Sequence, residues 1–375
     1  MGHKFGTSRR FSLGVEEEFQ LVGRESYELV SRIDEILSEV EDEDEHEGRV
    51  KPELLQSVVE VATNVAHSVG EAMDDLGRLR ARLRDAAAER DALIVSAGTH
   101  PFSLYEHQEV TDRPRYRELV EDMGWVAERE LIFGLHIHVG LGSPETAIAC
   151  LNAMRTFLPE LLALSVNSPF WQARPTGLAS TRTKVFETFP RSGLPPAFHS
   201  WEEFEALVER GTKTGSFPDY TYIWWDLRPH PRLGTIELRI CDAQASIEAV
   251  EGIVALAQSL VATLAEAYEN GGGPLPIQPV TLVDENKWRA TRDGLDARLV
   301  DLEHDTERSA REAVLDLVER SELAARRLGC ADELGSVEAL LARGTGADEQ
   351  LRVYEESGSL LAVAQWLAEE TIRGV

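Results

Sequence analysis

Ser12-Leu13-Gly14-Val15-Glu16-Glu17-Glu18-Phe19-Gln20-Leu21-Val22 is a strand-forming run with three consecutive carboxylates set into it. Side chains two apart on a strand share a face. Glu16 and Glu18 therefore point together, and Val15, Glu17 and Phe19 point the other way. Carboxylates held side by side repel each other and are costly to take out of water. A cation between them relieves both costs, and hard divalent ions such as magnesium prefer oxygen donors and commonly arrive with substrate phosphates. An edge strand with one solvated face explains the same pattern without any ligand.

Five further segments place polar groups where strands or loops would bury them. In Lys51-Pro52-Glu53-Leu54-Leu55-Gln56-Ser57-Val58-Val59-Glu60-Val61-Ala62-Thr63, two glutamates stand seven apart. That spacing is two helical turns but an odd step along a strand. The β-branched run puts Glu60 on a strand between valines and Glu53 on the turn before it, and a structural ion pair is the competing explanation. Phe133-Gly134-Leu135-His136-Ile137-His138-Val139-Gly140 puts two imidazoles on one strand face, a common metal-ligand spacing. With glutamates as partners, such a site suits magnesium or manganese better than zinc.

Trp224 to Asp242 reads as a hairpin with a Pro/Gly turn. Alternation places Asp226 and Arg228 on one face of its first arm, and Glu237, Arg239 and Cys241 on one face of the second. This pattern is either a cross-strand salt-bridge ladder or a metal-holding carboxylate beside arginines that grip phosphate or carboxylate. Two loop-like stretches add candidate anion binders. One holds Asn167, Ser168, Arg174 and Arg182; the other holds Asn286, Arg289 and Arg292. Surface ion pairs account equally well for these arginines.

Strands are expected over 11–22, 54–62, 92–97, 131–141, 220–227 and 234–241. Helices are expected over 69–89, 115–129, 144–165, 202–211, 247–269, 307–327, 337–341 and 358–372. The class is α+β, with helices covering one face of an antiparallel sheet. The acidic run Glu39 to Glu47 reads as a solvated loop or frayed helix end, and Gly271-Gly272-Gly273-Pro274 as a linker. No Gly-rich phosphate loop of the P-loop or Rossmann type is present. The chain is expected to be one catalytic domain over 1–375, with its motifs in 11–295 and a helical part in 296–375.

At 375 residues, 43% hydrophobic and 28% charged, the chain can bury a large core. The net charge of −28 argues against a nucleic-acid partner. No apolar run is expected to reach the length of a membrane span. Cys150, Cys241 and Cys330 are odd in number and far apart, which fits a reducing cytoplasm without disulfides. Only five lysines accompany 33 arginines, a bias that a GC-rich genome or a salty cytoplasm explains equally.

Taken in order, these segments resemble the glutamate–cysteine ligase type 2 family, the YbdK-type carboxylate–amine ligases. The match runs from Gly14-Val15-Glu16-Glu17-Glu18-Phe19 through Ala97-Gly98-Thr99-His100-Pro101, Gly134 to Gly140 and Asn167-Ser168-Pro169-Phe170. It continues through Arg228-Pro229-His230 and Thr235 to Asp242, and ends at Asn286-Lys287-Trp288-Arg289-Ala290. The resemblance implies an antiparallel sheet curled into a funnel with flanking helices, related to glutamine synthetase and the guanidino kinases. It implies ATP and two or three magnesium ions, with manganese as an alternative. Glu16, Glu18, Glu53, Glu60, His136 and Glu237 match the metal-binding set. Arg239 matches the arginine beside the reacting phosphate, with Arg228 as a weaker candidate. Bacterial ligases of the family carry Asp at the position of Glu53 and Asn at that of His138, which puts the inner ligand geometry in question.

The implied reaction joins glutamate to cysteine through an acyl phosphate, with a homodimer plausible and no membrane or nucleic-acid partner. Three alternatives stand beside it: the same chemistry with another acid or amine, a metal-dependent hydrolase built on His136 and His138, and an inactive binding module.

Overall fold

The computed structural model describes residues 2–40, 49–273 and 276–375. Most of the acidic run between Glu39 and Glu47, and Pro274 of the linker, lie outside the described residues. The framework is one open sheet of seven strands. They are β1 (Leu13–Gly23), β2 (Arg49–Pro52), β3 (Val58–Ala62), β4 (Ala92–Val95), β5 (Gly134–Gly140), β6 (Leu227–His230) and β7 (Thr235–Asp242). Their order is β6-β7-β5-β1-β3-β2, and every pairing is antiparallel.

The long β1 is the spine. One of its edges pairs with β3, and the other is shared end to end by β5 and β4. Register then does what alternation predicts. Lys51, Glu60 and Glu18 lie in one cross-strand row, and Glu16 pairs with His136. His138, Glu237 and Arg228 form a third row.

The opposite face carries Val15, Phe19, Leu21, Val59, Val61, Leu135, Ile137, Val139, Ile236 and Leu238, all buried in one core. Helices α1 (Val69–Glu89), α2 (Pro144–Met154), α3 (Leu158–Ser165) and α4 (Ile247–Ala267) cover that face. Outside α4 pack α6 (Ala310–Leu328) and α7 (Ala331–Arg343), which follow α5 (Val280–Asp293) in the chain. Residues Ala313, Leu317, Leu334 and Val337 thus belong to the same core as the sheet. The chain ends with α8 (Gly346–Ser357) and α9 (Leu360–Thr371).

One polar pair sits inside this core. Glu17, on the apolar side of β1, accepts two hydrogen bonds from Arg80 of α1, at 2.9 and 2.7 Å, and both side chains are fully buried. Arg80 also donates to the carbonyls of Gln244 and Ala245 at 3.0 Å and of Thr371 at 3.3 Å.

Several expectations are corrected. The helix expected over 144–165 breaks into α2 and α3 around a tight turn at Arg155–Phe157, just before Pro159, which has no N–H to continue the ladder. The strand expected over 220–227 is a short helical turn, Tyr220–Tyr222, then Trp224–Trp225, and the sheet strand begins only at Leu227. Residues 307–309 pair in a hairpin with Arg298–Asp301 before Ser309 and Glu312 cap α6 reciprocally. Helix α8 was not foreseen. Two segments, Pro144–Ser165 and Ile247–Gly272, do reach the length and apolarity of a membrane span, and are 89% and 78% buried against the rest of the protein.

Candidate active site

The polar face of the sheet gathers two sets of metal-type donors. Glu18, Glu53 and Glu60 each bring a carboxylate oxygen within 4.8 Å of the others, and Glu16, His138 and Glu237 do the same with one imidazole nitrogen. Between the sets lies Lys51, with Nζ 2.6 Å from Glu60 Oε1 and 3.8 Å from Glu16 Oε1. His138 is turned by the Thr235 hydroxyl, 2.9 Å from Nδ1, so that Nε2 faces Glu16 at 3.8 Å and Glu237 at 4.0 Å. A ring oriented through its other nitrogen is how a ligand imidazole is held.

Glu237 is also gripped by arginines. Arg228 donates to it at 2.6 and 3.3 Å, and Arg239 at 2.5 Å. A bulge places Arg239 there. Leu238 pairs with Ile137 and Cys241 with Leu135, so β7 has one more residue than β5 between these pairs. Arg239 N–H bonds outward to the Asp226 carbonyl at 2.8 Å. The bulge also sends Cys241 into the apolar core beside Ile240, so Cys241 does not share the face of Glu237 and Arg239.

The electrostatics separate the two sets. Burial pushes Glu18 up to about 7, with the Glu60 charge adding to it against Arg182. Burial and the charges of Glu60 and Glu18 raise Glu53 well above the usual carboxylate range. Burial and Glu16 raise Glu60. In the other set, burial favours the neutral form of Glu237, but the charges of Arg228 and Arg239 hold it well below the usual range. Glu16 is likewise lowered, because hydrogen bonds from His136 and His138 outweigh its burial. Three crowded, reluctantly ionised carboxylates are a site short of positive charge, and an all-oxygen donor set of that kind suits magnesium.

Two cavities meet at Glu16, Lys51 and His138. One, of about 460 Å³, is rimmed by Lys4, Arg49, Lys51 and Arg232 with the hydroxyls of Ser8 and Thr235. The other, of about 400 Å³, contains both donor sets and is walled by Tyr116, Trp224 and Glu130. An inner chamber of about 50 Å³ continues it, between Glu18, Glu53, Glu130, Arg182 and Phe186. Gly134 borders this region because a Cβ there would collide with the Arg182 guanidinium, while its N–H donates to Glu18 at 2.6 Å.

The sequence profile of glutamate–cysteine ligase family 2 matches residues 12–366. The chain belongs to that family. A Rubrobacter xylanophilus protein provisionally named glutamate–cysteine ligase 2-3 is 46% identical over 371 residues, covering 99% of this chain and all of the other. A Sorangium cellulosum protein provisionally named glutamate–cysteine ligase 2 is 42% identical, covering 98% and 97%. The fold is shared with a Francisella tularensis glutamate–cysteine ligase, at a TM-score of 0.71 and 14% identity over 98% of this chain and 90% of that one.

Family membership does not make every motif residue a ligand contact. Of the expected metal set, Glu16, Glu18, Glu53, Glu60 and Glu237 fall in the two donor groups, which include His138 and not His136. His136 instead lies 3.6 Å from Glu16 and 3.5 Å from Arg239, and burial with Arg239 alongside pushes it down to about 3. Arg182 lines the inner chamber. Ser168 does not: its hydroxyl is buried against Asp242 at 2.7 Å, where the Asn167 N–H and the Ser180 hydroxyl also converge. The Asn167-Ser168 motif is therefore a clamp on the end of β7.

Arg174 is exposed on a short pairing with Trp171 and lines neither cavity. Asn286 clasps the backbone of Val300 through both its amide atoms, at 2.8 and 2.6 Å. Arg289 pairs with Glu285 and Glu307, and Arg292 with Asp293, as surface ion pairs. The inward member of that segment is Lys287, fully buried between Asp226 at 2.6 Å and Glu187 at 3.0 Å. Asp226, paired with Lys287, does not line the cavity that Arg228 lines. Residues missed from sequence are Lys51, Glu130 and Lys287. Only Lys51 had a readable signal, since it stands across from Glu60 in the β2–β3 hairpin.

Proposed function

We propose that the protein is an ATP-dependent ligase that joins the γ-carboxylate of L-glutamate to the amine of L-cysteine through an acyl phosphate. The observation that carries this reading is the pair of donor sets on one sheet face, held inside one cavity and bordered by a second at Glu16, Lys51 and His138. The names of its relatives support the choice of glutamate and cysteine. The cavity rimmed by Lys4, Arg49, Lys51 and Arg232 suits the polyanionic nucleotide, and the cavity that contains the donor sets suits the amino acids.

The donors present fit two magnesium ions, one held by Glu18, Glu53 and Glu60 and one by Glu16, His138 and Glu237; manganese would fit the second set as well. Such ions, when bound, neutralise and orient phosphate oxygens. Arg239 and Arg228, fixed by Glu237, place positive charge beside the transferring phosphoryl group. Lys51 adds a cation at the junction of the cavities. Cys150, Cys241 and Cys330 as buried free thiols support a reducing, cytoplasmic setting.

A second reading keeps the chemistry and changes the amine. It is favoured by a cavity lining that offers carboxylates, arginines and aromatic rings but no group selective for sulfur. Phosphate release from ATP and magnesium with glutamate, with cysteine or other amines in turn, separates the two. Cysteine-dependent release with γ-glutamylcysteine as product supports the first reading. Release that follows another amine replaces the acceptor, and hydrolysis of a substrate without ATP would overturn both.

A further inference from the structure

Glu130 stands apart from every other carboxylate in the cavity. It belongs to neither donor set, and it lines both the large acidic cavity and the inner chamber. Glu16, Glu18, Glu60 and Glu237 each have a cation or an N–H within reach. The Glu130 side chain makes no hydrogen bond or ion pair among the described residues. Burial, with the Glu18 charge added, pushes it up to about 8 against the opposing charges of Arg239 and Arg182.

Its surroundings describe what that cation would be attached to. The chamber has an apolar wall of Leu54, Leu55, Val58, Ile132 and Phe186, and its volume of about 50 Å³ admits only a few heavy atoms. Arg182 and Arg239 line the same chamber. The guanidinium of Arg182 is spent on the carbonyls of Arg239 and Ile240, and its closest carboxylate, Asp242, is 3.9 Å away. The chamber thus offers one carboxyl group without a hydrogen-bond or ion-pair partner among the described residues, two arginines in the same lining, and a small apolar surface. A compact primary ammonium compound, such as a small α-amino acid, complements all three.

We infer that Glu130 is the residue that receives the cationic amine end of the acceptor substrate, and so sets acceptor specificity. This rests on the ligase reading. Arg182 and Arg239 then face the anionic end of the same molecule, and the apolar wall limits its side chain to a few atoms.

The test compares the full-length wild type with E130Q and E130D in ATP-dependent phosphate release. The amines are cysteine, glycine, alanine and ethylamine. E130Q keeps the shape and removes the charge, so the KM of the best wild-type amine should rise roughly 10- to 100-fold, the weight of a charged hydrogen bond. KM for ATP and for glutamate, and the half-saturating magnesium concentration, should stay near wild type. E130D should recover part of the loss. The melting temperature of E130Q should equal or exceed that of wild type, because a like charge near Glu18 is removed.

A raised magnesium requirement in E130Q would make Glu130 a metal ligand and overturn the assignment. So would an unchanged amine KM. Failure of the wild type to consume ATP with any of these amines would overturn the ligase reading, and the assignment with it.

Discussion

Glu237 has two duties that its carboxylate performs with the same two oxygens. It is one corner of a donor set, and it is the anchor for Arg228 and Arg239. Glu237→Gln should therefore lower kcat by roughly a thousandfold or more, through loss of both preorganised charge and arginine placement. The check is steady-state ADP release at saturating magnesium; a loss under tenfold would show that the arginines hold their places without it. The crowded set gives a second expectation. Glu18 and Glu130, at about 7 and about 8, bind protons more tightly folded than unfolded. Between pH 7 and 8.5 the folded state must shed protons that the unfolded chain has already lost, so stability falls as pH rises. His100, His136 and His230 are shifted downward and act in the opposite direction, but only below about pH 6.5, where the unfolded imidazoles still charge. Melting in EDTA should thus occur at lower temperature at pH 8.5 than at pH 7, and magnesium should shrink the difference. A melting temperature that rises with pH would refute this.

At the scale of elements, β1 was legible because its two faces differ at each step, and nothing else in the chain reads as plainly. The choice between His136 and His138 was not legible. Both occupy one face of β5, and only the stagger of β7 decides which meets Glu237. The bulge that aims Arg239 inward and Cys241 into the core leaves no mark in the alternation, which predicted the two together. Asn286, Ser168 and Arg289 looked like ligand contacts because polar residues in loops have two uses, and sequence does not tell a clamp from a binder. Helix α8 was hidden by its weak apolar stripe, with only Ala347 and Gln350 buried. The strongest tie between elements, Arg80 to Glu17, predicts a large asymmetry. Arg80→Met leaves a carboxylate buried without a partner and should cost about 3–5 kcal/mol. The double variant Glu17→Met with Arg80→Met should recover most of that, since a packed apolar pair often replaces a buried ion pair at little cost. Urea midpoints of the three proteins measure it, and additive losses would refute it.

At the scale of the molecule, the division into a motif-bearing part and a helical tail is not a division of the core. Ala313, Leu317, Leu334 and Val337 share one hydrophobic cluster with β1, β5 and β7, while Val363, Leu367 and Ala368 pack with Val22, Val95 and Phe170. A chain cut after Ser309 should accordingly fail to unfold cooperatively and should aggregate, by calorimetry and light scattering, although every candidate site residue is retained. A sharp transition in that fragment would refute this.

The guanidinium of Arg80 gathers residue 17 with carbonyls at 244, 245 and 371, and this has a consequence for biosynthesis. On the ribosome, Glu17 and Arg80 emerge early, but the carbonyls that complete the guanidinium's coordination follow hundreds of residues later. Without residue 371 in place, the guanidinium lacks one of its three backbone acceptors. Closure of the core therefore waits on contacts across as many as 291 residues, the kind of long-range ordering that slows folding.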